Sequence, residues 1–242
     1  MAWNDRRLVR DRPTAAAVIT SRDNERLKLV RKLRDRRRRL KLGLFAVEGE
    51  DLLEAGLGAG LEPADVLVAG EDVAPELLAE VSALAHPPRV VAVFRRDDLP
   101  QGTRPVTLAL WRVGDPGNVG TLLRAADAFG AGIALSEGCA DPTGPKAVRA
   151  SMGSLFRVSV SGFEEAAGKR VALVPSGGVP LPELRLDGDV VLVLGAERDG
   201  LPAEILDRCE ERATIPQSGR AESLNVAMAG AIALYELARR DR

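Results

Sequence analysis

The chain has 242 residues, 45% of them hydrophobic but only 3% aromatic, so one large domain or two small ones with a core of Leu, Val and Ala are expected. A formal charge of −1 conceals an asymmetry: residues 1–45 carry fifteen Lys/Arg against five Asp/Glu, which points to an anionic partner at this end. No apolar run reaches the roughly 18 residues of a membrane span, the first residues lack the apolar core of a secretory signal, and Cys139 and Cys209 are not spaced as metal ligands, so a cytoplasmic protein with free thiols is expected.

Residues 20–42 place Leu27, Val30, Leu33 and Leu40 near helical spacing with basic residues between them, which predicts one amphipathic helix with a basic outer face. After it come a strand over Phe45–Glu48, a helix over Glu50–Leu61, a strand over Val66–Ala69, a helix over Pro75–Leu84 and a strand over Val90–Phe94. Residues 18–96 thus read as a small α/β domain. A basic tail (1–17), with the composition of a solvated, partly disordered segment, precedes it, and a turn-rich linker (97–105) follows. The single histidine, His86, falls in a loop-like stretch that suggests no catalytic role.

From Val106 onward strands and helices alternate. Strands are predicted at Val106–Leu110, Ile133–Leu135, Val171–Val174, Val190–Leu194 and up to Thr214–Ile215, with a helix over Val119–Phe129 and a helix or loop over Lys146–Ser154. This alternation predicts a parallel sheet flanked by helices. A dinucleotide-binding sheet would carry G-x-G-x-x-G after its first strand. Here Gly114, Gly117 and Gly120 are spaced by three, and no P-loop is present. The ligand site is expected where three Gly-rich loops, Pro175–Pro180, Gly195–Gly200 and Pro216–Gly219, meet at one sheet edge.

The last loop opens the stretch IPQSGRAESLNVAMAGAIALYEL (Ile215–Leu237), a polar turn running into an Ala-rich helix whose first turn takes Glu222, Ser223 and Asn225. Ser223 suits an N-cap, and Leu224, Met228, Ala231 and Tyr235 form a stripe at the spacing of ordinary core packing. Ala227, Ala229, Gly230 and Ala233 permit close approach of another element, in a dimer or a tucked chain end.

Three patches in order, N-x-G-x-x-x-R from Asn118, L-G-x-E-x-x-G-L from Leu194 and I-P-x-x-G-x-x-E-S-L-N-V from Ile215, resemble the SpoU (TrmH) family of RNA ribose 2′-O-methyltransferases, in the SPOUT class. FAVEGEDLLEAG (Phe45–Gly56) is similar to that family's N-terminal substrate-binding domain. The resemblance implies an α/β protein: a parallel-sheet SPOUT catalytic domain with a trefoil knot (106–242), preceded by a small α/β RNA substrate-binding domain like a large-subunit ribosomal protein (18–96). It implies S-adenosylmethionine as cofactor, an RNA partner and a homodimer, with no metal and no membrane. Carried over, Asn118, Arg124, Glu197, Ser223 and Asn225 are the catalytic candidates, and Gly195, Ile215 and Leu224 hold the methyl donor. Gln217 stands where other members often have Met, and Arg198 and Asp199 fill variable positions.

The implied reaction moves a methyl group from a sulfonium to a ribose hydroxyl, which asks for alignment and for help in removing one proton. A guanidinium stays protonated, so Arg124 is expected to fork onto an RNA phosphate and orient the hydroxyl rather than act as base. A surface pairing with Asp127 or Glu197 is the plainer alternative. Glu197 either locks a loop or caps a helix start near Leu201. Asn118 and Asn225, each donor and acceptor, suit loop locking and ribose recognition. Lys146, Arg149, Ser151 and Ser154 are expected near the ligand edge, in reach of the RNA backbone. Ribosomal RNA is favoured by the separate N-terminal domain, 23S rRNA first; a tRNA methyltransferase and a non-catalytic RNA-binding assembly factor are the alternatives.

Overall fold

A computed structural model of the chain describes residues 18–84, 86–218 and 223–240. The basic tail 1–17, and Gly219 and Glu222 of the terminal motif, lie outside them. Among the described residues no helix is long and apolar enough to cross a membrane.

The N-terminal part is a three-stranded sheet in the order β1-β3-β2, with both pairings antiparallel: β1 (Leu44–Glu48), β2 (Asp65–Val68) and β3 (Val90–Arg95). Side chains alternate across a strand, and β3 shows the consequence. Val91 and Val93 face a cluster with Leu27, Val30 and Leu33 of the first helical region and Leu77 and Leu78 of a later helix. Val90, Ala92 and Phe94 face the other way, into a core continuous with the C-terminal part. Helices α3 (Glu50–Gly58) and α4 (Pro75–Val81) complete this part.

The single helix expected over 20–42 is two helices, α1 (Glu25–Lys32) and α2 (Arg36–Leu42). Asp35 restarts the second, its carboxylate accepting from the Arg38 N–H at 3.0 Å. The restart shifts the helical phase. Leu40, expected on the inner face, is 56% exposed, while Arg39 is buried at 4%.

The C-terminal part is a seven-stranded sheet, every pairing parallel, in the order β6-β5-β4-β9-β7-β10-β8. In chain order its elements are β4 (Val106–Leu110), α5 (Pro116–Ala128), β5 (Gly132–Leu135), α6 (Pro145–Ser151), β6 (Val160–Gly162), β7 (Lys169–Leu173), β8 (Val179–Pro180), β9 (Val190–Leu194), α7 (Ala203–Leu206), β10 (Glu211–Thr214) and α8 (Val226–Arg240). The apolar runs behave as buried parallel strands: Leu192 and Leu194 of β9 face one core, Val191 and Val193 the opposite one. Strands β6 and β8 have no apolar signature and exist through their neighbours, β5 and β10. From β4 the sheet grows outward through β5 and β6; the chain then crosses over to β7, and β9 fills the space between.

Three of the five phenylalanines meet where the two parts join, Phe45, Phe94 and Phe156, with ring centroids 5.0–6.1 Å apart. Beside them Arg39 of α2 donates to Asp141, with Nε 2.9 Å and Nη2 2.8 Å from Oδ2. Arg96 reaches the other oxygen at 3.1 Å, and Thr143 donates to it from its backbone N–H and hydroxyl. The segment between the parts is docked, with Val160 N–H donating to the Pro100 carbonyl at 3.1 Å.

Helix α8 returns from β10 to pack on α5 and β9. The contact is close because Gly230 is there: a Cβ at this position would stand 2.4 Å from Leu122 Cδ2. At its far end Arg240 donates to the carbonyls of Leu181 and Leu184.

Candidate active site

In an all-parallel sheet the loops after every strand emerge at one edge, and ligands bind there where strand order reverses. Strands β4 and β9 are neighbours at this reversal. The loop after β4 leads into α5, and the loop after β9 is the turn Gly195–Gly200. Two motifs 79 residues apart are thereby laid side by side.

The start of α5 is over-determined. Pro116 sits at its first position, where no N–H is needed. Asp115 caps it, accepting from the Asn118 N–H at 2.9 Å, and also accepts from Lys146 Nζ at 3.1 Å. The hydrogen bond from the Asn118 N–H, then that from Lys146, hold the Asp115 carboxyl below the usual range. With its backbone so fixed, the Asn118 side chain is aimed. Its Nδ2 donates to Glu197 Oε1 at 2.6 Å, and its Oδ1 accepts from Asn225 Nδ2 at 3.1 Å. Asn225 in turn caps α8, its Oδ1 accepting from the N–H groups of Ala227 at 2.9 Å and Met228 at 3.3 Å. One chain of side-chain hydrogen bonds, Glu197 to Asn118 to Asn225, therefore ties the three motifs together.

The turn holding Glu197 is tight. Gly200 N–H bonds the Ala196 carbonyl at 3.0 Å, and Gly200 takes φ +64°, in the left-handed region. A Cβ on Gly195 would lie 2.2 Å from the Gly200 carbonyl carbon, so only glycine lets the two ends of the turn touch. Ile215 and Leu224 flank the same edge after β10, both half-buried, and Ile215 packs against the main core.

Other expectations are corrected. Helix α8 starts at Val226, so Ser223 and Asn225 precede it rather than form its first turn. The cap is Asn225, and Ser223 is exposed. Helix α5 begins at Pro116, so Arg124 lies two turns in, not one; it is exposed, and among the described residues it has no hydrogen-bond or ion-pair partner. Neither surface pairing expected for it forms: Asp127 is held by Arg157 at 2.5 Å and Glu197 by Asn118. Ser151 and Ser154 are buried, Ser151 donating to the Val148 carbonyl at 2.7 Å, so neither is free to reach an RNA backbone; exposed Lys146 is, and it pairs with Asp115. The stripe Leu224, Met228, Ala231, Tyr235 is core only in part: Ala231 packs half-buried against the main cluster. Met228 and Tyr235 are more than half exposed, and the buried face is Val226, Ala227, Gly230, Ala233, Leu234 and Leu237.

Asp115 was missed as a site residue. Its signal was an acid directly before Pro116 at a helix start.

Residues 105–235 match the SpoU rRNA Methylase family, and residues 24–96 match an MRM3-like substrate binding domain. The chain belongs to the SpoU rRNA Methylase family. An uncharacterized tRNA/rRNA methyltransferase of Synechocystis is 33% identical over 93% of this chain and 94% of its own. A 23S rRNA guanosine 2′-O-methyltransferase of Bacillus subtilis is 31% identical over 90% of this chain and 98% of its own. Among solved structures, the AdoMet-bound rRNA methyltransferase of Sinorhizobium meliloti superposes with a TM-score of 0.81 at 32% identity, covering 93% of this chain and 98% of that one. As a member of the family the chain is a methyltransferase with a parallel-sheet α/β fold.

Proposed function

We propose that this chain is an S-adenosylmethionine-dependent 2′-O-ribose methyltransferase acting on 23S rRNA. The observation that carries the reading is the hydrogen-bonded chain Glu197–Asn118–Asn225, which gathers three distant segments at the ligand edge of the sheet; on the helix of Asn118, the exposed cation Arg124 is left without a partner among the described residues. The Bacillus subtilis relative named for 23S rRNA and the AdoMet-bound neighbour, both matched over nearly their whole length, support the substrate and the cofactor.

The edge fits the methyl donor. Gly195 is a position that any Cβ would close, and half-buried Ile215 and Leu224 offer apolar contact next to backbone groups of the loops after β9 and β10. S-adenosylmethionine supplies, when bound, an electrophilic methyl on a sulfonium, which needs no metal. This chain's residues supply the alignment, and the hydroxyl proton leaves to solvent. Asn118, held at both ends, fixes the two loops against each other, so that a donor and a ribose arrive in one geometry. Alignment of this kind contributes roughly 7–11 kcal/mol in well-oriented systems. Arg124 forks onto an RNA phosphate and orients the ribose hydroxyl toward the donor. Ser223, exposed just before α8, is taken as a ribose contact.

We further take residues 18–96 as the RNA substrate-binding domain, 97–105 as the linker and 106–242 as the catalytic domain. A trefoil knot is supported by α8, which returns from β10 across the sheet to lodge between α5 and the Leu181–Leu184 segment. A homodimer is supported by the outer face of α8. Met228 (55% exposed), Ile232 (39%) and Tyr235 (57%) form an apolar stripe, extended by Phe129, whose ring lies 6.3 Å from that of Tyr235. Arg124, on the helix against which α8 packs, then lies near the seam between copies. An RNA enzyme of this kind works in the cytoplasm.

The test is methyl transfer from labelled S-adenosylmethionine to unmodified 23S rRNA, followed by mapping of the methylated ribose. Transfer to one ribose of 23S rRNA is expected. Donor binding without transfer to any RNA would overturn the reading. Arg124→Lys tests the clamp: loss of about 10²-fold or more in kcat is expected if fork geometry matters, and near-full transfer would sink the bidentate role.

A further inference from the structure

The strongest charge concentration outside the ligand edge lies where α1 meets α2. Arg31, Lys32, Asp35, Arg37, Arg38 and Lys41 line an open groove of about 530 Å³. Lys32, Arg37, Arg38 and Lys41 are exposed, and no ion pair engages them among the described residues. Asp35, the one acid of the groove, is occupied in capping α2. On α2, Lys41 lies three and four residues beyond Arg38 and Arg37, the spacing that brings side chains onto one face. Exposed cations crowded together repel each other, and nothing in this fold requires the crowding. The other cations of the same helix are engaged differently. Arg39 is buried on Asp141, and Arg36 donates to the Cys139 carbonyl at 3.3 Å. Both partners stand in the loop between β5 and α6, and α6 packs closely on α5, the helix of Asn118 and Arg124. One face of α2 is thus bolted to the catalytic part while another presents unpaired guanidinium and ammonium groups.

We infer that the groove lined by Lys32, Arg37, Arg38 and Lys41 is an RNA phosphate-binding site, separate from the ligand edge and held in fixed register with it by Arg39 and Arg36. The inference rests on the reading of the chain as an RNA methyltransferase. Its ligand is the sugar–phosphate backbone, not a base: the groove offers charge and forked donors but no aromatic ring on which a base would stack. An acidic protein partner is disfavoured because the groove lacks the buried aromatic or aliphatic anchor on which protein interfaces depend.

Phosphate contacts release counterions, with a slope of log affinity against log salt of about −0.7 to −0.9 for each contact. The experiment compares the full chain with the variant Arg37→Gln/Arg38→Gln/Lys41→Gln, binding a 23S rRNA transcript between 50 and 200 mM salt. If three contacts are lost, the unaltered protein should weaken about 20–40-fold more than the variant over this range. The variant should also raise KM for RNA more than it lowers kcat. Arg37→Lys/Arg38→Lys, which keeps the charges, should keep the original slope. Arg208→Gln/Arg212→Gln, before and in β10, four strands from β5 in the sheet, should keep it as well. An unaltered slope in the triple variant would overturn the inference, as would the same loss of slope in either control. Failure of the functional reading looks different: no methyl transfer by the unaltered protein, with the salt dependence still carried by the groove.

Discussion

Replacing Asp141 by Ala removes the only carboxylate that faces Arg39 in the junction between the two parts, among the described residues. Both side chains are 5% exposed. Asp141 accepts from Arg39 at 2.8–2.9 Å, from Arg96 at 3.1 Å, and from the Thr143 N–H and hydroxyl at 3.0 and 2.7 Å. After the substitution Arg39 keeps only the neutral carbonyls of Leu33 and Arg34, at 2.8 and 2.9 Å. Stranding a buried charge in this way costs about 3–5 kcal/mol. For a chain of this size each kcal/mol lowers Tm by about 2–4 °C, so a drop of about 6–20 °C is expected by circular dichroism. The double change Arg39→Met/Asp141→Leu, which removes both charges, should recover much of the loss, because the cost lies in the unpaired charge rather than in the absence of the pair. The pair also sets a pH dependence. Burial pushes the Asp141 carboxyl up, but the Thr143 hydrogen bonds and the charges of Arg96 and Arg39 outweigh it and hold its pKa below the ordinary value. Its stabilisation is therefore present above the unfolded carboxyl pKa of about 3.9, and is lost as pH falls through the lower folded value. The Tm gap between the native chain and Asp141→Asn should be constant above about pH 5 and close only in strong acid. A Tm drop under 2 °C for Asp141→Ala, or a double variant less stable than the single one, would refute this account.

Other consequences concern the ligand edge and the dimer. Asn118→Ala cuts the links to Glu197 and Asn225; kcat for methyl transfer should fall about 10²-fold with Tm nearly unchanged, since misplacement of about 1 Å carries that penalty. An equal loss of stability and rate would mean that Asn118 is a folding residue. Gly195→Ala forces a Cβ to within 2.2 Å of the Gly200 carbonyl carbon, so the turn must open; calorimetry should show donor binding weakened at least tenfold, and unimpaired binding would remove the turn from the donor site. Ile232→Glu/Tyr235→Glu places charges in the apolar stripe of α8, and sedimentation should show a dimer becoming a monomer; a native chain already monomeric at micromolar concentration would end the dimer proposal.

Much of this protein is written locally. Strands β3, β4 and β9 announce themselves as apolar runs because each is buried on both faces, and α5 announces its start through Asp115 and Pro116. Asn118, Glu197 and Asn225 were legible as candidates through the resemblance of their three motifs to the family. Their joining was not, because it depends on β9 being inserted beside β4, a choice made by the whole sheet rather than by any window of sequence. The break between α1 and α2 was missed for a related reason. Leu40 fits a helical stripe by spacing, but Asp35 restarts the helix, and the counter-charge of Asp141, 102 residues from Arg39, holds Arg39 as the buried residue instead. The stripe on α8 failed in the opposite direction. Periodicity reports that a face is apolar, not what covers it, and here the glycine and alanine face turns inward because Gly230 lets Leu122 and Leu194 approach the helix. Sequence by itself determined most of the elements and, through its motifs, the family. Tertiary structure decided which polar groups meet and which face of a helix is buried, since both depend on partners brought together only when distant strands pair.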